Sequence, residues 1–189
     1  MAEKYFIADL HIGHDNVIKF DNRPFKSVEE MDETIRNNWN ARITDEDEVF
    51  ILGDMSWLPS LETEKFLKTL KGKKSLIIGN HDGKYLKNTN IRDQFDLVSP
   101  YRELFIEDNL LVLCHYPIPC FKNHLRGAYH FYGHVHNSFE YDIMEDLKLA
   151  MEDEQGKELR MYNVGCMLPH MNYTPKTFKE IIEEYHYER

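Results

Sequence analysis

Five short apolar runs in this sequence each end in side chains able to bind a metal ion: Asp9 and His11; Asp54; Asn80 with His81 and Asp82; His115; and His134 with His136. Imidazole, carboxylate and amide oxygen without thiolate suit divalent manganese, iron, cobalt, nickel or zinc better than a cysteine-rich structural zinc. Singly, several of these carry little weight. An Asp-x-His is common by chance, Gly53-Asp54 is an ordinary turn dipeptide, and His115 before Tyr116-Pro117 reads as a core or surface histidine. Gly79-Asn80-His81-Asp82 differs, because at this composition it is expected by chance roughly 0.002 times, and a Gly-His-x-His such as Gly133 to His136 roughly 0.02 times. Both follow β-type runs, which makes coincidence a poor explanation.

The elements that must position these residues follow from hydrophobic periodicity. Residues 4–8, 49–52 and 75–78 form short apolar runs stopped by polar or glycine-containing loops and predict strands. Ser27 stands three residues before Glu30, and Val28, Met31, Ile35 and Trp39 recur at helical spacing, which predicts a helix over 28–42. A crossover helix over 60–70 completes a β-α-β rhythm. In the second half, 102–106 and 110–114 flank Glu107-Asp108-Asn109, read as a three-residue hairpin turn in an antiparallel sheet. A strand over 129–132, a last strand over 159–164 and a terminal helix over 177–187 follow, while the acidic stretch 138–158 gives no clear assignment. Strand ends along one sheet edge are where open α/β domains assemble their sites.

The length of 189 residues suits one domain, 1–189, able to bury roughly two-thirds of its unfolded surface. With 42% apolar and 30% charged residues the chain is neither disordered nor membrane-embedded, and its apolar runs fall far short of the ~20 residues that span a bilayer. The opening residues lack the apolar stretch of a secretory signal, so a cytoplasmic location is expected. A net charge of −10 disfavours wholesale coating of nucleic acid, although bound cations would offset it locally and leave nucleic acid possible as a substrate. Three cysteines without a C-x-x-C pair fit reduced thiols.

The ordered set Asp9-x-His11, Gly53-Asp54, Gly79-Asn80-His81-Asp82, His115 and Gly133-His134-x-His136 resembles the calcineurin-like metallophosphoesterase superfamily. The stretch from Asp9 to Ile18, with Asn22-Arg23-Pro24-Phe25, is similar to a group of short bacterial and phage metallophosphoesterases. The resemblance implies an α/β fold arranged as a four-layer α-β-β-α sandwich with a dinuclear centre. Asp9, His11 and His136 would hold one cation, Asn80, His115 and His134 the other, and Asp54 would bridge them. Manganese leads the candidate cations, with iron, zinc, nickel and cobalt as alternatives. Two ions ~3.5–4 Å apart can hold a hydroxide near neutral pH as nucleophile, and His81 would protonate the leaving oxygen or stabilise the transition state. The family's phosphoprotein phosphatases continue with Asp-Arg-Gly and Gly-Asn-His-Glu, whereas Trp57, Leu58, Pro59 and Asp82 stand here. A small phosphodiester or nucleotide-like substrate is therefore expected over a phosphoprotein. A nuclease and a non-catalytic interaction scaffold are the alternatives. Arg23 and Arg126 are candidate phosphate clamps, though each reads equally as a surface arginine, and His14 reads best as an exposed loop histidine. Tyr116, Phe121, Tyr129 and Tyr132 could stack on a base, although core packing accounts for most of them.

Overall fold

The computed structural model describes residues 2–151 and 159–187. In chain order its first half runs β1 (Lys4–Ile7), α1 (Asp15–Phe20), α2 (Val28–Arg42), β2 (Glu48–Ile51), α3 (Ser60–Lys68), β3 (Lys73–Ile77), α4 (Thr89–Arg92) and β4 (Leu97–Ser99). The second half runs β5 (Tyr101–Ile106), β6 (Asn109–Cys114), β7 (Tyr129–Tyr132), α5 (Phe139–Ala150), β8 (Met161–Asn163), β9 (Lys176–Thr177) and α6 (Phe178–Tyr187). The helix α2 begins where its capping signal places it: the Ser27 hydroxyl accepts from the Glu30 N–H while the Glu30 carboxylate accepts from the Lys26 N–H. Its buried stripe is Met31, Ile35 and Trp39, at the four-residue spacing that aligns one face.

One sheet has the order β4-β3-β2-β1-β9, parallel except for β9, and the other has the order β5-β6-β7-β8. Helices flank the two sheets, which is the architecture the resemblance implies. Phe6 of the first sheet meets Phe131 of the second edge-on at 5.1 Å, so the main core lies between the sheets. The sheets also join by backbone hydrogen bonds at one end, where Ala8 N–H donates to the Val164 carbonyl and Cys166 N–H to the Ala8 carbonyl. That junction lies one residue from Asp9.

Three expectations need correction. The β5–β6 turn has two residues, not three: Ile106 pairs with Asn109, and Glu107 and Asp108 both take positive φ, the twist that matches flanking antiparallel strands. The second sheet is mixed, since β6, β7 and β8 run parallel. The strand within 159–164 is not the last, because β9 returns to pair beside β1. The unassigned acidic stretch contains α5, and residues 152–158 lie outside the described residues. No described helix is long and apolar enough to cross a membrane.

Candidate metal centre

Parallel neighbours point their carboxyl ends the same way, so the loops after β1, β2 and β3 converge, as do those after β6 and β7. The first group delivers Asp9, His11, Asp54 and Asn80, and the second delivers His115, His134 and His136. Five of these seven, Asp9, His11, Asp54, His134 and His136, take positive φ between 49° and 71°. Left-handed backbone costs a non-glycine residue about 1–3 kcal/mol and persists only where neighbours enforce it. Here Asp9 N–H donates to the Gly53 carbonyl, His11 N–H to the Asp54 carbonyl, and His134 N–H to the Asp9 carboxylate at 3.0 Å. The motif glycines serve this crowding. A Cβ on Gly133 would stand 2.5 Å from Asp9 Oδ2, and one on Gly79 would stand 2.4 Å from Asp54 Oδ1.

The side chains form two overlapping clusters, Asp9/His11/His136 and Asp9/Asp54/His115, whose ligand atoms lie within 4.8 Å of one another. His11 Nε2 is 3.2 Å from His136 Nε2, and Asn80 Oδ1 is 2.9 Å from His115 Nε2 and 3.0 Å from His134 Nδ1. Between the clusters, Asp54 Oδ2 lies 3.6 Å from His115 Nε2 and 3.8 Å from His11 Nε2.

The chemistry of these contacts tests whether a cation fits. His115 Nδ1 donates to the Leu52 carbonyl at 2.8 Å, so its Nε2 lone pair faces the Asn80 oxygen. His136 Nδ1 donates to Asp21 Oδ1 at 2.8 Å, so its Nε2 lone pair faces His11. The His115–Asn80 pair sets acceptor against acceptor, which is repulsive unless a proton or cation lies between them. Burial pushes the Asp9 carboxyl up, with His136 and His115 offsetting only part of it. Burial, then His136 and Arg23, pushes the His11 imidazole well down, whereas His136 is carried up against its burial by Asp9 and Asp21. An imidazole that resists protonation beside carboxylates that need a countercharge is a donor set that divalent cations satisfy.

A cleft of about 380 Å³ opens over the clusters, with His11, His14, Asp54, Trp57, His81 and His136 in its wall. The half-exposed His81 ring places Nε2 3.8 Å from Asp54 Oδ2, and the His81 backbone N–H donates to Asp54 Oδ1. Asp82 turns inward and accepts from the Asp54, Met55 and Gly79 N–H groups and the Tyr85 hydroxyl, tying the β2 loop to the β3 loop.

Arg23 is not at the cleft surface, contrary to its expected role as a clamp. Its guanidinium is buried and spent on the Asp9 and Leu10 carbonyls and the Asp21 carboxylate. Arg126 is exposed on the turn His124–Arg126 and is not among the residues lining the cleft. His14 is half-buried rather than exposed, stacked on Trp57 at 4.2 Å with 7° between the rings. Of the four candidate stacking residues, Tyr116 meets two of the candidate ligand histidines edge-on, His134 at 4.6 Å and His115 at 5.1 Å. Phe121 and Tyr132 are core, and Tyr129 packs on Phe178. Sequence reasoning missed Asp21 and Trp57. Asp21 lies 115 residues from the histidine it orients, which no local pattern displays, whereas Trp57 follows Asp54 by only three residues.

The calcineurin-like phosphoesterase profile matches residues 5–151, a span that contains every one of these side chains. The chain belongs to the calcineurin-like phosphoesterase family. Among similar proteins, the uncharacterised MJ1445 of Methanocaldococcus jannaschii is 43% identical over 84 residues, 43% of this chain and 48% of that one. The Gene 66 protein of Mycobacterium phage L5 is 35% identical over 108 residues, 56% of this phosphoesterase and 50% of the phage protein. The chain thus matches about half the length of these curated relatives. The solved structure of AQ665 from Aquifex aeolicus, a protein of unknown function, superposes with a TM-score of 0.73 at 23% identity, covering 97% of this chain and 99% of that one, a likeness of fold.

Proposed function

We propose that this calcineurin-like phosphoesterase hydrolyses phosphoester bonds with two divalent cations, manganese foremost, and favours phosphodiester or nucleotide-like substrates. The observation that carries this reading is that the His115 Nε2 lone pair faces both the Asn80 amide oxygen and the Asp54 carboxylate. Asp9, His11 and His136 would hold one ion, Asn80, His115 and His134 the other, with Asp54 shared. When bound, the ions polarise phosphoryl oxygens and acidify water to near neutral pH. His81, in the cleft wall beside Asp54 and outside both clusters, is free to meet the leaving oxygen with a proton or to stabilise its charge. The preference for diesters rests on the cleft wall. No arginine lines it among the described residues, so a dianionic monoester finds no guanidinium to grip it.

The test is to strip the protein of metal, reload it separately with manganese, nickel, iron or zinc, and assay phosphomonoesters, phosphodiesters, cyclic nucleotides, dinucleoside polyphosphates and single-stranded DNA. Two ions per chain, activity lost on chelation, and an aryl diester cleaved at least as fast as its monoester are expected. His81→Ala should keep both ions and lower kcat for an alkyl diester about 10²–10⁴-fold, with a smaller deficit when the leaving group is an acidic phenol. Full activity in verified metal-free protein overturns the reading, and a strong preference for phosphoserine peptides overturns the substrate class.

A further inference from the structure

A second cavity, of about 240 Å³, opens beside the cleft and shares two of its wall residues, Trp57 and His81. Lys84 lines it with its Nζ 5.1 Å above the Trp57 ring. This lysine is exposed and has no carboxylate partner among the described residues, in a chain whose 33 acidic side chains outnumber 23 basic ones. No carboxylate lines the cavity. The one nearest in sequence, Asp82, is turned away and saturated by three backbone N–H groups and the Tyr85 hydroxyl. A positive, carboxylate-free recess in a chain of net charge −10 is a local reversal of sign, suited to an anion.

Its placement names the anion. His81 stands in both walls, with Asp54 on its cleft side. A group that meets the leaving oxygen must have the departing alcohol next to it, and this cavity, which His81 lines and Asp54 does not, offers free volume for it. We propose that the cavity is a subsite for a phosphate carried by the leaving group, gripped by Lys84, so that the preferred substrates are phosphodiesters whose departing alcohol bears a further phosphate. The proposal rests on the hydrolase reading above for its placement on the leaving-group side. Trp57 belongs to both walls, and the Lys84 ammonium is set against its ring rather than against a carboxylate.

The experiment compares adenosine 3′,5′-bisphosphate with adenosine 5′-monophosphate and adenosine 3′-monophosphate by calorimetry, on the manganese-loaded full chain. The bisphosphate should bind about tenfold or more tighter than either monophosphate, the scale of one charge-assisted contact. Lys84→Ala should remove that advantage and Lys84→Glu should reverse it. Equal affinity in the wild type, or an advantage that survives Lys84→Glu, overturns the subsite. The companion kinetic ratio is kcat/KM for the dinucleotide ApA against the same dinucleotide phosphorylated at its 3′ or its 5′ end. Selective bisphosphate binding through Lys84 with no diester cleavage would sink the hydrolase reading alone. Diester cleavage with no selection for the extra phosphate would sink the subsite alone.

Discussion

The loops leaving the first sheet bring Asp9, Asp54 and Asn80, three candidate oxygen donors, with one imidazole, His11, whereas those leaving the second bring imidazoles alone, His115, His134 and His136. The two halves are also held differently. In the first, loops brace one another: Asp9 on Gly53, His11 on Asp54, and both Asp54 and Gly79 on Asp82. In the second, all three histidines hang from the first half, His115 by Nδ1 on the Leu52 carbonyl, His134 by its N–H on the Asp9 carboxylate and His136 by Nδ1 on Asp21. The first half is therefore a self-braced oxygen platform, and the second a set of nitrogen donors docked onto it. A proposed dinuclear centre would need the sheets packed, and its ions would cross-link them.

The largest test of that asymmetry is Asp54→Ala. Its carboxylate reaches toward imidazoles of both halves, so its loss should empty both ion positions, whereas His134→Ala should empty one. Ions per folded chain, counted by elemental analysis after desalting, decide it. Two ions retained in Asp54→Ala would remove the shared carboxylate and with it the platform.

Acid should loosen the second half through a residue outside the centre. His130 on β7 is buried, donates from Nδ1 to the Val112 carbonyl and accepts at Nε2 from the Ile118 N–H, pinning the chain after His115. Burial lowers its imidazole to about 4 from the usual 6.5, against the raising effect of its contacts with Val112 and Tyr116. Because the unfolded chain takes up this proton first, the stability is present above pH 6.5 and is lost as pH falls through about 4. The loss is roughly 3 kcal/mol. Urea unfolding of wild type minus His130→Gln, measured from pH 7 to 4, should show that slope. A flat difference, or an NMR titration of His130 near 6.5, breaks the argument.

The halves also differed in how far the sequence disclosed them. Apolar runs stopped by Gly-Asp or Gly-Asn-His-Asp located β2 and β3 to within two residues at each end, because buried parallel strands need unbroken apolar side chains. The five strand-end groups of candidate ligands were legible for the same reason. β4 and β9, of three and two residues, and the six-residue α1 with Val17 as its one buried side chain, are too short for periodicity to register. Parallel pairing of β6 with β7 cannot be read from a hairpin signal, and Arg23 misled because an arginine serving two carbonyls and a carboxylate looks in sequence like one awaiting a phosphate.

The smallest expected effect bears on the join between the halves. Asp21 follows α1 and so belongs to the platform, yet it orients a ligand of the other half. Its Oδ1 accepts from His136 Nδ1, its Oδ2 pairs with Arg23, and its carbonyl accepts from the Asn137 amide. Burial would raise its carboxyl, but His136 and Arg23 hold it below the ordinary range, so it stays an anion facing the imidazole. That partnership fixes the tautomer that leaves Nε2 free and makes it a stronger donor to a cation. Asp21→Ala should weaken one of the two manganese ions about 10–100-fold and leave the other in place. Asp21→Asn should weaken it less, since the amide oxygen still accepts from Nδ1 while the anion is gone. Manganese titration against a competing chelator, fitted to two sites, separates the outcomes. If both ions weaken equally in Asp21→Ala, Asp21 braces the fold as a whole, and the docking of the nitrogen half onto the platform is not local to His136.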